Sequence, residues 1–222
     1  MSSNVEPDGF SIVPGVLSGP QMELLRAEIG DIDEGAGRRG LLTVPAVSAF
    51  ARSEKALALV NPWLCGKAHP VRAIFFDKTP NANWLVPWHQ DLTIALAEAA
   101  EVPGFGPWSV KEGTPHVQPP AELLEQMLTL RLHFDDATES NGALRVIPRS
   151  HRSGRLSAED IREWRAQMPE VVCGAEAGDV LLMRPLLLHA SGRSSAACHR
   201  RVLHIDYAGF TLPGNLRWHE AA

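Results

Sequence analysis

Leu128-Thr-Leu-Arg-Leu-His-Phe-Asp135, followed by Asn141-Gly142 and Ala143-Leu-Arg-Val-Ile147, decides how the chain is expected to fold. The first segment alternates apolar and polar side chains at the period of a strand. Asn-Gly is a strong hairpin signal, so the spacing predicts a hairpin joining the two segments. Further downstream, Val171-Val172, Val180 to Leu188 and Val202 to Tyr207 read as strands, with Gly178-Asp179 as a turn before the second. Upstream, Val71 to Asp77 is rich in β-formers.

Helices are predicted mainly before this region. Gln21 to Ile29 places Met22, Leu25 and Ile29 at near-helical spacing, and Ser48 to about Val60 reads as a second helix stopped by Asn61-Pro62. Asp31 to Gly40, rich in glycine, reads as a mobile loop, and proline-rich Glu101 to Pro120 as a long one. Ser157-Ala-Glu-Asp160 resembles a helix cap, opening a helix to about Met168. Helices first, then many short strands, predicts a mainly β fold with flanking helices. The expected form is a double-stranded β-helix (a jelly-roll or cupin-like barrel) backed by N-terminal helices. One domain, 1–222, is expected, with a helical part over about 1–68 and a barrel over about 69–210.

Composition narrows the function. At 222 residues, with 45% hydrophobic and 21% charged side chains, the chain can bury one sizeable core. A formal charge of −5 argues against a general nucleic-acid binder. No apolar run suggests a membrane span, and the N-terminus lacks the features of a signal peptide. Cys65, Cys173 and Cys198 are widely spaced, which disfavours a disulfide framework and points to the cytoplasm. Oligomeric state is not legible.

The chemistry begins at Trp88-His89-Gln90-Asp91. On a strand, residues i and i+2 share a face, so His89 and Asp91 can converge on one metal ion. An unpaired buried Asp is costly, and a metal compensates it. His189, at the end of an apolar strand, is the third candidate. Two His and one carboxylate match the facial triad of non-haem Fe(II) oxygenases, which leaves open positions for a cosubstrate and O₂. A structural zinc site would need a fourth protein ligand. A strand from Arg200 would put Arg200, Val202, His204 and Asp206 on one face. An inward arginine is expensive unless paired, and a dicarboxylate pairs with it well.

Phe76-Asp-Lys-Thr-Pro80 and Pro87-Trp-His-Gln-Asp91 together resemble the phytanoyl-CoA dioxygenase family of Fe(II)/2-oxoglutarate oxygenases. Asn141 to Pro148 with Ser150-His151, and Gly178-Asp179 through His189, are similar to that family's hairpin and distal-histidine strand. The likeness spans roughly residues 70 to 210. It implies Fe(II) held by His89, Asp91 and His189, with 2-oxoglutarate and O₂ as cosubstrates and succinate and CO₂ as co-products. It implies that Arg200, eleven positions after His189, grips the distal carboxylate of 2-oxoglutarate, with Arg201 as the alternative if the register slips. Lys78 matches a family lysine that assists cosubstrate binding. Arg131 stands where relatives often carry an aromatic near the cosubstrate, and Trp84 and Trp108 are candidate pocket walls. Asp91 argues for hydroxylation over halogenation, because related halogenases carry a small residue there. The expected substrate is a small organic molecule. The alternatives are a non-catalytic cupin-like metal-binding or sensor protein, and a metal-dependent hydrolase with Glu98 or Glu101 as its base.

Overall fold

The computed structural model describes residues 4–32, 37–196 and 198–220. In chain order the helices are α1 (Val5–Asp8), α2 (Gly19–Ile29), α3 (Pro45–Ala51), α4 (Glu54–Val60), α5 (Ala121–Leu124) and α6 (Ala158–Gln167). The strands are β1 (Phe10–Val13), β2 (Gly37–Arg38), β3 (His69–Lys78), β4 (Val86–His89), β5 (Ile94–Ala95), β6 (Trp108–Lys111) and β7 (Thr114–Val117). They continue as β8 (Met127–His133), β9 (Leu144–Val146), β10 (Val171–Cys173), β11 (Val180–Met183), β12 (His189–Ser191) and β13 (Arg200–Ala208).

These strands form a mixed α/β arrangement, not the barrel expected from the sequence. Their ladders fall into three antiparallel sheets, ordered β1-β11-β8-β13-β3-β2, β10-β9-β12-β4 and β5-β7-β6. No strand is shared between sheets, and among the described residues none of them closes. The physical reason lies at two crossings. Asn141-Gly142 does not make a hairpin. Residues Glu139–Asn141 form a 3₁₀ turn under a Thr138–Asn141 capping box, and Gly142 ends it with φ +77°. That turn carries the chain from β8 in the six-stranded sheet to β9 in the four-stranded one. Likewise Val180 to Leu188 is not one strand: it leaves the six-stranded sheet after Met183 and re-enters the other at His189.

Other differences are local. The segment expected to be helical contributes β1 and β2 to opposite edges of the six-stranded sheet. The second predicted helix is two, because Ser53 caps α4 through the Ala56 amide. The predicted Glu101–Pro120 loop contains the β6–β7 hairpin. The centre of the predicted Asp31–Gly40 loop, residues 33–36, lies outside the described residues.

The six-stranded sheet is two-faced, as period-2 alternation requires. Phe75, Leu128, Leu130, Leu132, Leu203, Ile205 and Tyr207 pack in one cluster with Leu25, Ile29, Val47 and Phe50 from the helical segment. The buried Tyr207 hydroxyl donates to Ala51 O at 2.9 Å, tying β13 to α3. On the other face, Leu181 and Met183 meet Leu144 and Val146 of the four-stranded sheet. The space beside that contact holds the candidate site. Among the described residues no helix is long and apolar enough to cross a membrane.

Candidate metal centre

Gln90, between the two H-x-D residues, explains their placement. Its side chain turns away, donating to Leu186 O at 2.7 Å and Gly154 O at 2.8 Å and accepting from Leu156 N at 2.8 Å. The Asp91 amide donates to Pro185 O at 2.9 Å. These bonds pin the chain just after β4, so Asp91 reaches the centre from an irregular segment rather than from the strand predicted for it. His189 pairs directly with His89 across the β12–β4 ladder.

The three side chains converge. His89 Nε2 lies 3.7 Å from Asp91 Oδ1, and His189 Nε2 lies 3.7 Å from Asp91 Oδ2. All three ligand atoms fall within 4.8 Å of one another. Each imidazole donates Nδ1–H to a backbone carbonyl two residues earlier, Pro87 O and Leu187 O, both at 2.8 Å. That fixes the tautomer and leaves each Nε2 lone pair facing the shared centre, as metal-ligating histidines require. Burial pushes His189 down to about 4 despite the pull of Asp91, so its ring is neutral at neutral pH. Burial opposes ionisation of Asp91, but the flanking imidazoles, His189 foremost, outweigh it and hold the carboxyl well below the usual range. Burial lowers His89, but Asp91 outweighs that and raises it, and His89 gives up that proton when it ligates a metal. With His89 deprotonated, two imidazole nitrogens and one carboxylate, with no fourth protein ligand in the group, fit a divalent iron.

A cavity of about 170 Å³ opens on this cluster. Trp84, Phe76, Arg131, Arg200, Ser191 and His204 line it with the triad. Asp91 is the sole carboxylate among the lining residues. Glu98, proposed as a hydrolytic base, instead ion-pairs with Arg217 at the surface, and neither Glu98 nor Glu101 lines the cavity. Trp108 is also absent from the lining; it packs against the separate apolar cluster around Ile94 and Val117. A larger cavity, about 280 Å³ beside Arg184 and His151, contains none of the triad.

The two adjacent arginines part company by strand alternation. Arg200 is buried on the cavity side. Arg201 takes the other face and forms a bidentate pair with Asp135, at 2.8 and 2.6 Å. Burial and the neighbouring Arg131 push Arg200 down to about 10, still charged at neutral pH. Lys78 is fully buried and donates to Ser191 Oγ at 2.9 Å and Gly192 O at 2.6 Å, 5.2 Å above the Trp84 ring. Burial, then Arg200 and Arg131, push its pKa down to about 8. A Cβ on Gly142 would stand 2.6 Å from Gly192 O. Glycine at the crossing therefore lets the two sheets close over this wall.

Sequence reasoning left the deeper network unread. Arg131 Nη1 donates to His204 Nδ1 at 2.9 Å, and His204 Nε2 donates to Asp206 Oδ1 at 2.9 Å. Asp206 also accepts from Thr129 at 2.7 Å and ion-pairs with Arg72 at 2.6 Å. The inward alternation of β13 was the available signal. Its partners on β3 and β8 become visible only once strands are paired.

His133, beside this network, has both ring nitrogens buried without a hydrogen-bond partner. Burial, then Arg131 and Arg200, push its pKa from 6.5 down to about 3. Between those values the unfolded chain binds a proton that the folded protein refuses. Stability is therefore fully present above about pH 6.5 and is lost as pH falls toward 3. Thermal unfolding of metal-free protein followed between about pH 7 and 5 should show that loss. His133→Leu should flatten the slope by up to about 1.4 kcal/mol per pH unit. Equal slopes in the two proteins would contradict a buried neutral His133.

Comparison with known proteins agrees with this geometry. The profile of the family described as phytanoyl-CoA dioxygenase (PhyH) matches residues 5–202. L-proline trans-4-hydroxylase of Streptomyces griseoviridis is 25% identical over 241 residues, covering 90% of this chain and 82% of that protein. AviO1 from Streptomyces viridochromogenes has a similar fold, with TM-score 0.67 and 21% identity over 95% of this chain and 94% of its own. HygX from Streptomyces hygroscopicus, whose structure holds nickel and 2-oxoglutarate, is similar at TM-score 0.67 and 19% identity, over 94% and 85% of the two chains.

Proposed function

The chain belongs to the phytanoyl-CoA dioxygenase family and is an Fe(II)/2-oxoglutarate-dependent dioxygenase; from that premise we propose that it hydroxylates a small organic molecule at the His89/Asp91/His189 centre. The observation that carries this reading is the pair of Nε2 atoms, each fixed by its own Nδ1 hydrogen bond and aimed at one carboxylate. Bound there, Fe(II) with 2-oxoglutarate supplies the oxidising chemistry from O₂, with succinate and CO₂ as co-products.

The residues of the chain bind and orient. His89, Asp91 and His189 would hold the metal, and the cavity they line would admit the cosubstrate and substrate. Arg200, buried with its Nε unpartnered, is suited to the distal carboxylate of 2-oxoglutarate through a charge-assisted bond. Lys78 holds Ser191 and Gly192 in place, and Ser191 lines the cavity. Trp84 and Phe76 form apolar walls that keep water from the reacting centre. A metal-binding sensor without turnover gives no task to a buried, unpaired Arg200, which favours the enzyme.

The cavity's size supports a small substrate rather than a nucleic acid. Succinate release should rise above its substrate-free rate with a member of a panel of amino acids, small hydrophobic acids and secondary metabolites. L-proline belongs in the first set, given the relative that hydroxylates it. A panel in which no compound changes succinate release or is itself oxidised would count against hydroxylation of a small molecule.

A further inference from the structure

Two buried guanidinium groups face the same cavity, and neither has an acid. Arg131 is 7% exposed and Arg200 is 4% exposed, and the Nε of each is buried without a hydrogen-bond partner. Among the described residues no carboxylate lies within ion-pair distance of either one. Burying an unpaired cation costs several kcal/mol, on the order of a protein's whole stability margin. The cavity thus contains one more anion receiver than the distal carboxylate of 2-oxoglutarate requires.

The charges lead to the same count. With iron and cosubstrate in place, the two positive charges of the metal and that of Arg200 are balanced by Asp91 and two carboxylates. Asp206 is already matched by Arg72 at 2.6 Å. Two positive charges remain: Lys78, which is held by Ser191 and Gly192 and is not on the lining, and Arg131, which is; the lining residues provide no further carboxylate.

Position separates the two arginines. In the strand register Arg131 lies opposite His204, whereas Arg200 lies opposite Lys78. Arg200 and His204 are four residues apart on β13, or about 13 Å along an extended strand. Asp91 is among the charges acting on Arg131, while those acting on Arg200 are Arg131, Asp77 and Asp135. Arg131 therefore stands at the metal end and Arg200 at the far end. The bond from Arg131 Nη1 to His204, backed by Asp206, fixes the guanidinium plane and leaves Nη2 as the donor available to an acid in the cavity.

We propose that the molecule oxidised carries a carboxylate and that Arg131 receives it at the metal end of the cavity. This rests on the dioxygenase reading above. The test is calorimetric titration of anaerobic Fe(II)-loaded, 2-oxoglutarate-saturated protein with propanoate and benzoate, each against its own carboxamide. The charge-transfer absorption of the iron–2-oxoglutarate complex is followed in the same samples. In the wild type at least one acid should bind about tenfold or more tighter than its amide, with the absorption band retained. Arg131→Met should erase the preference and Arg131→Lys should keep most of it. Affinity for 2-oxoglutarate should stay within about threefold across all three proteins.

Absence of any acid preference in the wild type overturns the proposal. So does loss of 2-oxoglutarate affinity in Arg131→Met, or displacement of the band by the acid, because either would assign Arg131 to the cosubstrate. A wild-type protein that takes up no 2-oxoglutarate fails at the earlier step and overturns the dioxygenase reading together with this one.

Discussion

Asp91→Ala should reduce aerobic, Fe(II)-dependent conversion of 2-oxoglutarate to succinate to background, a loss on the order of a thousandfold. Asp91 is the only carboxylate among the described residues that line the cavity. Without it, His89 and His189 are two neutral donors, and two neutral nitrogens hold a divalent ion far more weakly than a charged facial set. The fold should survive, because the segment carrying Asp91 is pinned by Gln90 and by the backbone bond to Pro185, not by the Asp91 carboxylate. Succinate formation by Asp91→Ala at the wild-type rate would remove the centre from the chemistry.

Arg200→Ala should leave iron binding nearly unchanged and weaken 2-oxoglutarate by about a hundredfold, equivalent to about 3 kcal/mol. Arg200 is buried on the cavity wall, stays charged and has an unpartnered Nε. A carboxylate arriving there forms a charge-assisted pair in a low-dielectric site, where truncating one partner costs most. Arg201→Ala is the built-in control. That side chain is committed to Asp135 on the opposite face, so its loss should affect stability and not cosubstrate affinity. If the Arg201 variant instead carries the affinity loss, the assignment of the two arginines must be exchanged.

Most elements could be located in the sequence, while their partners could not. Alternation from Leu128 to His133 and from Val202 to Tyr207 identifies strands and their faces, because the side-chain period is local. Which strand lies beside which depends on long-range pairing, and two short segments determined it here. Asn141-Gly142 has the composition of a hairpin turn, yet the Thr138–Asn141 cap folds it into a 3₁₀ turn between sheets. The stretch from Val180 to Leu188 is uniformly apolar, so nothing in its pattern marks the crossing after Met183. Both misreadings favour a closed barrel over the open sheets that the chain forms.

The candidate centre was more legible than the fold. His89 and Asp91 are two residues apart, and His189 is singular in its apolar surroundings, so the structure needed only to bring together residues already distinctive in type. The strand expected to carry Asp91 nonetheless ends at His89, and Asp91 lies in the irregular segment after it. Arg131 and its His204–Asp206 support were less accessible, because their relation exists across β8 and β13 and not along either strand.

The most direct measurement is an anaerobic absorption titration of the metal-free protein with Fe(II) and then 2-oxoglutarate. A saturable metal-to-ligand charge-transfer band should appear in the wild type, require much more 2-oxoglutarate in Arg200→Ala, and be missing in Asp91→Ala. A band of equal strength in Asp91→Ala, or no band in the wild type, would contradict an iron–2-oxoglutarate centre built on His89, Asp91 and His189.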